Sequence, residues 1–312
     1  MYSDPGYLDP GHLEIGAAAL ARLLASACPR ADYGDVGAFD ACVTALKETR
    51  DIPSAKELAW GTDQPSLPID KRILTRLTER TFRSLYLPLF TFTGRWSVAV
   101  DRHEHTPYIV VEAYFRNSLP AGEYPYPFWH SPSNWSDYEA TNQLRFYLDR
   151  TGRAFVVTHS GAGSDADRGA YAHVTRPAFD GQWQWLDDAE RPEPRVSLFP
   201  NVYSEANPNL ARLQNAYESF ALEIRQGTCL DCHTPVNRAA MERLVLLQTP
   251  VHAAGAIDKV IKEVKSGKMP QDDLGLRKHI DPRLRAAIIR SAEAFRDEVR
   301  LADRWESDQH AH

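Results

Sequence analysis

Apolar positions along this chain change their period twice, and the changes divide it into three stretches. Residues 14–27 and 36–47 space their apolar side chains as helices do, which predicts a short helical hairpin over 14–47. Residues 53–70 read as a proline-containing polar loop. Residues 71–85 read as a helix carrying Ile73, Leu74, Leu77, Phe82 and Leu85. The period then becomes that of strands. Residues 96–100 and 108–115 are rich in β-branched and aromatic side chains. Residues 144–148 and 154–159 flank Asp149-Arg150-Thr151-Gly152, a good hairpin turn. Residues 170–175 and 182–186 complete the expected sheet, with a helix between Ser133 and Thr141. Residues 198–208, rich in proline and asparagine, read as a linker. Helical spacing then returns. Residues 209–226 carry Leu210, Leu213, Ala216, Tyr217, Phe220 and Ile224 on one face and end at Gly227. Residues 251–266 carry Ile257, Val260, Ile261 and Val264, with Gly267 as the C-terminal cap. A last helix starts with Asp281 as cap and Pro282 in its first turn. Its stripe is Leu284, Ile288, Ala292, Phe295, Val299 and Ala302.

Helices, then strands, then helices imply an α+β chain. The expectation is N-terminal helices plus a mostly antiparallel sheet over residues 1–200, the sheet spanning about 96–186, followed by an all-α domain over 205–305. The length of 312 residues leaves room for both. Hydrophobic residues make up 43%, and no run is long enough to cross a bilayer. The net charge of −6 and the lack of a basic stripe argue against nucleic-acid binding and leave room for a basic redox partner.

The candidate chemistry is concentrated in Cys229-Leu230-Asp231-Cys232-His233, the C-x-x-C-H pattern that attaches a c-type haem. Two thiols at this spacing form thioethers to the haem vinyl groups, and the adjoining histidine reaches the iron. Half of a zinc site is an alternative, but it wants a second Cys or His pair, and no second C-x-x-C exists. A dithiol redox motif is another, but it belongs at a strand-to-helix junction, whereas this one follows a helix. Downstream lies Ser266-Gly267-Lys268-Met269-Pro270. Met269 follows a helix end on a loop able to reach across, while Met241 is too close to His233 to wrap round to the other haem face. A thioether paired with histidine gives low-spin ligation and raises the reduction potential. The competing role for Met269 is a gap-filling core side chain.

Residues 205–305 resemble a class I c-type cytochrome domain: a first helix leads into C-x-x-C-H, a loop carries a methionine, and a last helix crosses the first. The resemblance implies one haem c per chain, attached at Cys229 and Cys232, with His233 as proximal and Met269 as distal ligand. It also implies aromatic packing between the first and last helices at Phe220 and Phe295. The interval from His233 to Met269 is short for the family, which leaves His252 and His279 as fallback ligands. Such a protein carries single electrons to a redox partner protein. Haem attachment of this kind takes place outside the bacterial cytoplasm, so a periplasmic location is implied. Cys28 and Cys42 fit that compartment and are expected to close a disulfide between the two first helices, the alternative being buried thiols. The first residues have no basic n-region and no convincing apolar h-region. The sequence Leu24-Ala25-Ser26-Ala27-Cys28 only faintly resembles a lipoprotein cleavage site, so a leader removed ahead of Met1 is the expectation.

The first two thirds of the chain match no catalytic motif: no phosphate-binding loop, nucleophile elbow or H-E-x-x-H. Three features stand out. His103-Glu104-His105, with Glu112 nearby, has metal-binding residue types, though a polar surface turn reads the same way. The aromatic run from Tyr124 to Trp129, followed by His130, Trp135 and Tyr138, suits either packing or a pocket for a small apolar or aromatic ligand. Residues 160–165, Ser-Gly-Ala-Gly-Ser-Asp, form a glycine-rich loop that matches no nucleotide fingerprint. Three functions are therefore in play: an exported electron carrier, a haem-linked sensor or small-molecule-binding protein, and a redox enzyme passing electrons to the haem. The sequence favours electron transfer over catalysis.

Overall fold

A computed structural model describes residues 10–31, 36–49, 52–64, 66–116, 141–161, 199–227, 229, 233, 250–272 and 275–309. The chain divides into two compact units, Met1–Ala178 and Phe179–His312.

The first unit opens with helices α1 (Pro10–Ala27) and α2 (Val36–Glu48). Ala17, Leu20, Ala21 and Leu24 of α1 are buried, as are Phe39, Cys42, Val43 and Leu46 of α2. This i, i+3, i+4, i+7 spacing is what makes each helix bury one stripe. Cys28 and Cys42 are disulfide-bonded, with 4.7 Å between their α-carbons. The staple joins the exit of α1 to the middle of α2, and the Phe92 amide donates to the Cys28 carbonyl at 2.9 Å. The helices are thereby tied to the sheet.

That sheet has six strands in the order β2-β1-β6-β5-β4-β3. They are β1 (Ser54–Thr62), β2 (Ile73–Thr78), β3 (Phe90–Val100), β4 (Pro107–Phe115), β5 (Gln143–Leu148) and β6 (Ala154–Ser160). The β1–β6 pair is parallel and the other neighbours are antiparallel. The sheet is thus mixed, and α+β describes the architecture. The β5–β6 hairpin turns where the sequence places it. Asp149 Oδ1 accepts from the amides of Thr151 and Arg153 at 2.8 and 3.0 Å, and Gly152 adopts φ +80°.

Two expectations fail here. Residues 53–70 contain β1 rather than a loop throughout, and residues 71–85 open with β2 rather than a helix, so the sheet begins at Ser54 instead of about 96. The reason lies in position. Strand β1 is interior to the sheet, and Leu58, Ala59, Trp60 and Gly61 are all buried. No apolar–polar alternation marks such a strand. The apolar residues of β2 fall at a spacing that also fits a helix, and only pairing with β1 makes them extended. Gly61 sits at the irregularity in that pairing, where a β-carbon would lie 1.7 Å from the Arg72 carbonyl oxygen. Residues 79–89 are helical, running through an α-turn, a π-turn and a 3₁₀-turn. They bury Phe82, Leu85, Tyr86, Leu87 and Leu89, with the rings of Phe82 and Tyr86 against Trp60. The expected elements at 133–141, 170–175 and 182–186, and the aromatic run from Tyr124, lie outside the described residues.

The described elements of the second unit are helices: a single turn at Phe199–Val202, then α3 (Leu210–Gln226), α4 (Pro250–Lys265) and α5 (Pro282–Gln309). The α5 stripe of Ile288, Ala292, Phe295, Val299 and Ala302 is buried as its sequence predicts. Asp281 Oδ1 caps the helix by accepting from the amides of Arg283 and Leu284 at 2.8 and 3.1 Å. Phe220 stacks on Phe295 with centroids 5.8 Å apart, and Tyr217 meets the same ring edge-on at 5.4 Å. Helices α3 and α5 therefore cross at an aromatic cluster. The stretch expected to be a linker belongs to this core. Phe199, Val202 and Tyr203 are buried, Asn207 donates to the Ala302 carbonyl, and Glu306 accepts from Ser204 and Asn207. Among the described residues no helix is long and apolar enough to cross a membrane.

Candidate functional site

Helix α3 ends at Gly227, whose amide donates to the Glu223 and Ile224 carbonyls at 3.1 and 3.2 Å. Its φ of −82° is open to any residue, so the glycine is required for space and not for backbone freedom. A β-carbon at Gly227 would lie 2.9 Å from Ile288 Cδ1 of α5 and 3.1 Å from Cys229 Sγ. The crossing of α3 and α5 thus continues to the edge of the cysteine motif. Cys229 is a half-buried thiol, and the His233 amide donates to the Cys229 carbonyl at 3.0 Å. That bond brings the main chains of the motif's first and last residues together. Cys232 lies outside the described residues.

Met269 sits on the loop between α4 and α5. Gly267 ends α4 in the left-handed conformation, φ +67°, which favours glycine at the residue after a helix. The amides of Lys268 and Met269 both donate to the Glu263 carbonyl, at 3.1 and 3.2 Å. Beyond Met269 the chain folds back on itself. Lys278 donates to the Pro270 carbonyl, Gln271 bridges to Arg277, and Asp272 accepts from Leu276. The half-buried Met269 is therefore anchored on both sides in a closed loop. The guanidinium of Arg285 lies over Gly267: a β-carbon there would be 3.4, 3.5 and 3.8 Å from Nη2, Nη1 and Cζ.

Arg285 and Ile288 are one turn apart on α5, a rise of about 4.5 Å. Arg285 fills the space beside Gly267, two residues before Met269, and Ile288 the space beside Gly227, two residues before Cys229. The sequence did not flag either contact, because both depend on how α5 crosses its neighbours. The donor types at these positions are two cysteines, an imidazole and a thioether, which suit a covalently held haem and no tetrahedral zinc set. Among the described residues no group of three or more His, Cys, Asp or Glu side chains is placed to hold a metal ion.

The fallback histidines have different settings. His252 is buried in the first turns of α4, and burial pushes its pKa down to about 3, so it is neutral. His279 is exposed on the loop. In the first unit His103, Glu104 and His105 lie in the exposed β3–β4 turn. That turn is organised by hydrogen bonds: Asp101 Oδ1 accepts from the amides of His103 and Glu104, and Glu104 accepts from the Ile69 amide. Glu112 is taken by Arg95 at 2.7 Å and Tyr114 at 3.1 Å.

A buried ionic network, unforeseen in the sequence, lies beside that turn. The Arg72 side chain is fully buried and donates to Asp101 Oδ2 at 3.0 Å, to the Tyr147 hydroxyl at 2.7 Å and to the Leu67 carbonyl at 2.7 Å. Arg145 pairs with Asp63 at 2.5 Å, and the Tyr147 hydroxyl donates to Asp63 at 3.2 Å. Asp101 is held down to about 2: hydrogen bonds from the 103–104 turn and from Arg72 outweigh the desolvation that opposes them. Tyr147 is pushed up to about 12, chiefly by burial and also by Asp63. The network fastens the β1–β2 connection, the β3–β4 turn and β5 to one another. Arg72 resembles a solvated residue in Asp70-Lys71-Arg72, so its pattern carries no sign of burial.

Comparison with known proteins gives no match: no protein-family model, no curated protein and no solved structure.

Proposed function

We propose that this chain is an exported c-type cytochrome that carries single electrons through one covalently bound haem c. Cys229 and Cys232 hold the group, His233 is its proximal ligand and Met269 its distal ligand. Haem in this setting supplies a reversible one-electron iron couple. The residues of the chain fix the ligands and limit solvent. The backbone bond from His233 to Cys229 ties the main chain of the histidine to that of the first attachment point, which supports the pairing of the two roles. Met269 lies on a separate element, the loop after α4, whose main chain is anchored at Glu263, which supports its role as a second ligand. The observation that carries the reading is the pair Arg285 and Ile288. Residues one turn apart on α5 fill the space beside Gly227 and Gly267, the glycines that lead into the cysteine motif and the methionine loop. The disulfide Cys28–Cys42 supports an oxidising compartment, and hence export to the periplasm.

The test is an optical spectrum of the haem-loaded protein, oxidised and reduced, with and without carbon monoxide. A sharp low-spin reduced spectrum that carbon monoxide leaves unchanged is expected of His233 and Met269 acting together. A carbon monoxide shift in the unaltered protein would move the reading to a gas-responsive or catalytic haem.

A further inference from the structure

We propose that the loop following Met269, centred on Leu276-Arg277-Lys278, is the docking surface for the redox partner, and that this partner presents an acidic face with an apolar spot. The inference rests on the haem reading above and names the partner of the same site. The charge of the whole chain, −6, suggests a basic partner instead. Local charge decides the matter, because exposed charges are largely screened from one another beyond ~10 Å at ~0.1 M salt.

From residue 259 to residue 290 the sequence holds nine Lys and Arg against four Asp and Glu, a surplus of five positive charges in an acidic chain. Lys262, Lys268, Arg277, Lys278 and Arg283 are all exposed. The described acidic side chains of this stretch serve the local structure. Asp281 accepts from two amides at the start of α5, Asp272 accepts from the Leu276 amide, and Glu263 lies 3.5 Å from Lys268 Nζ. Two haem propionates would not exhaust the surplus.

The course of the loop gathers these cations around the proposed ligand. Lys268 directly precedes Met269. Across the loop the Lys278 amide donates to the Pro270 carbonyl at 2.9 Å, and Arg277 bridges to Gln271. Cationic residues thus stand on both limbs of the loop. At its tip Gly275 turns the chain at φ +78°, and a β-carbon there would meet nothing within 4 Å. Leu276 follows, 62% exposed. A lone exposed leucine is ordinary on any surface. This one stands at an uncovered tip, next to two cations and on the loop of the proposed ligand, and an apolar centre with a charged rim is the anatomy of an interface. Transient electron-transfer complexes bury little surface, so complementary charge that steers the encounter governs their rate. One electron passes per encounter: ferrous iron is oxidised as the partner is reduced, or the reverse.

The experiment is voltammetry of the full haem-loaded chain at low ionic strength. It uses gold electrodes coated with a monolayer of mixed methyl and carboxylate ends, or of mixed methyl and ammonium ends. The wild type is compared with Arg277→Glu/Lys278→Glu, with Leu276→Ser, and with Lys56→Glu/Arg150→Glu, which makes the same change of net charge on exposed residues of the first unit. The wild type is expected to exchange electrons faster on the carboxylate film. Arg277→Glu/Lys278→Glu should slow that exchange by about tenfold or more, as loss of steering does. Lys56→Glu/Arg150→Glu should leave it unchanged. Leu276→Ser should lower the coverage of the film by a smaller factor, and that loss should persist when salt is raised. Faster exchange on the ammonium film, or equal slowing by the two charge-reversed pairs, would overturn the proposal in favour of overall charge. Undiminished exchange in Arg277→Glu/Lys278→Glu, or exchange on neither film, would overturn it outright, and unchanged coverage by Leu276→Ser would overturn its apolar part. Binding of the wild type to phosphatidylglycerol vesicles at physiological ionic strength, lost in Arg277→Glu/Lys278→Glu, would replace the acidic protein by a lipid surface. Carbon monoxide binding by the wild type would instead count against Met269 ligation, and so against the function proposed above.

Discussion

The centres of the two units differ in chemistry: an Arg–Asp–Tyr network is buried inside the first, and an aromatic crossing of helices forms the second. In the first, the polar groups at the centre are engaged by one another. His159 is buried with Nε2 at 3.2 Å from Thr62 Oγ1 and Nδ1 at 3.2 Å from Thr141 Oγ1, and it stacks on Trp60 at 5.4 Å. Arg72, Asp63, Asp101, Arg145 and Tyr147 neutralise one another inside the fold. In the second unit the core between α3 and α5 is aromatic and aliphatic, and the reactive groups sit at its ends. Cys229 and Met269 are half-buried on the segments that leave α3 and α4. A buried polar group must find partners within the fold, since leaving it unpaired costs about 1–3 kcal/mol.

The sharpest way to break this contrast is to replace Cys229 and Cys232 together by alanine. Covalent haem absorbance should vanish entirely, while the circular dichroism of the sheet persists. Haem still bound covalently after denaturation and extraction would refute the attachment site.

Next in size, each core can be tested at its centre. Arg72→Ala leaves Asp63 and Asp101 with fewer partners in a buried site, and breaking a buried pair this way costs about 3–5 kcal/mol. Phe295→Ala removes the ring on which Phe220, Tyr217 and Phe199 converge, a loss of about 3–5 kcal/mol for a buried phenylalanine. Denaturant titration followed through the haem band should detect the Phe295 change and be far less sensitive to the Arg72 change. Equal effects of both on the haem band would mean that the two units unfold as one.

A smaller effect separates them covalently. Opening Cys28–Cys42, 14 positions apart, by mild reduction should lower the stability of the first unit by about 3 kcal/mol. The reduction potential of the haem should not move. A shift in potential on reduction of this disulfide would show that the units are energetically linked.

The smallest effect is acid sensitivity. The pKa of His159 is lowered from 6.5 to about 3 by burial, so the folded state holds it neutral while the unfolded state takes up a proton. Its contribution is therefore complete above pH 6.5 and is lost as the pH falls from there toward 3, at up to about 1.4 kcal/mol per pH unit. Asp101, lowered from 3.8 to about 2, adds a second loss between those values. His252 is lowered to about 3 in the same way, so His159→Gln should make the upper part of the stability profile less steep without flattening it, measured by urea midpoints between pH 7 and 4. A profile as steep as that of the parent would mean another group titrates there.

Local pattern and end signals alone determined much of this protein. The stripes of α1, α2, α3 and α5 and the Asp281 cap are readable because a helix face repeats every 3.6 residues. The β5–β6 hairpin is readable because Asp149 to Gly152 has turn chemistry at the right positions. The pair Cys28–Cys42 was legible from the compartment that C-x-x-C-H implies, and the stacking of Phe220 on Phe295 from the cytochrome resemblance. Tertiary structure decided the rest. Strands β1 and β2 exist because β6 and the neighbouring turns give Leu58 to Gly61 partners on every side, which erases the alternation that would have announced a strand. Residues 199–207 look like a linker until Glu306 and Ala302, about a hundred positions later, accept their hydrogen bonds. The same holds at the candidate site. Cysteine and histidine spacing is local and survives in the sequence, whereas the contacts of Gly227 with Ile288 and of Gly267 with Arg285 arise only where α5 crosses the other helices. Such close approaches join residues far apart in the chain, so no window of sequence contains both partners.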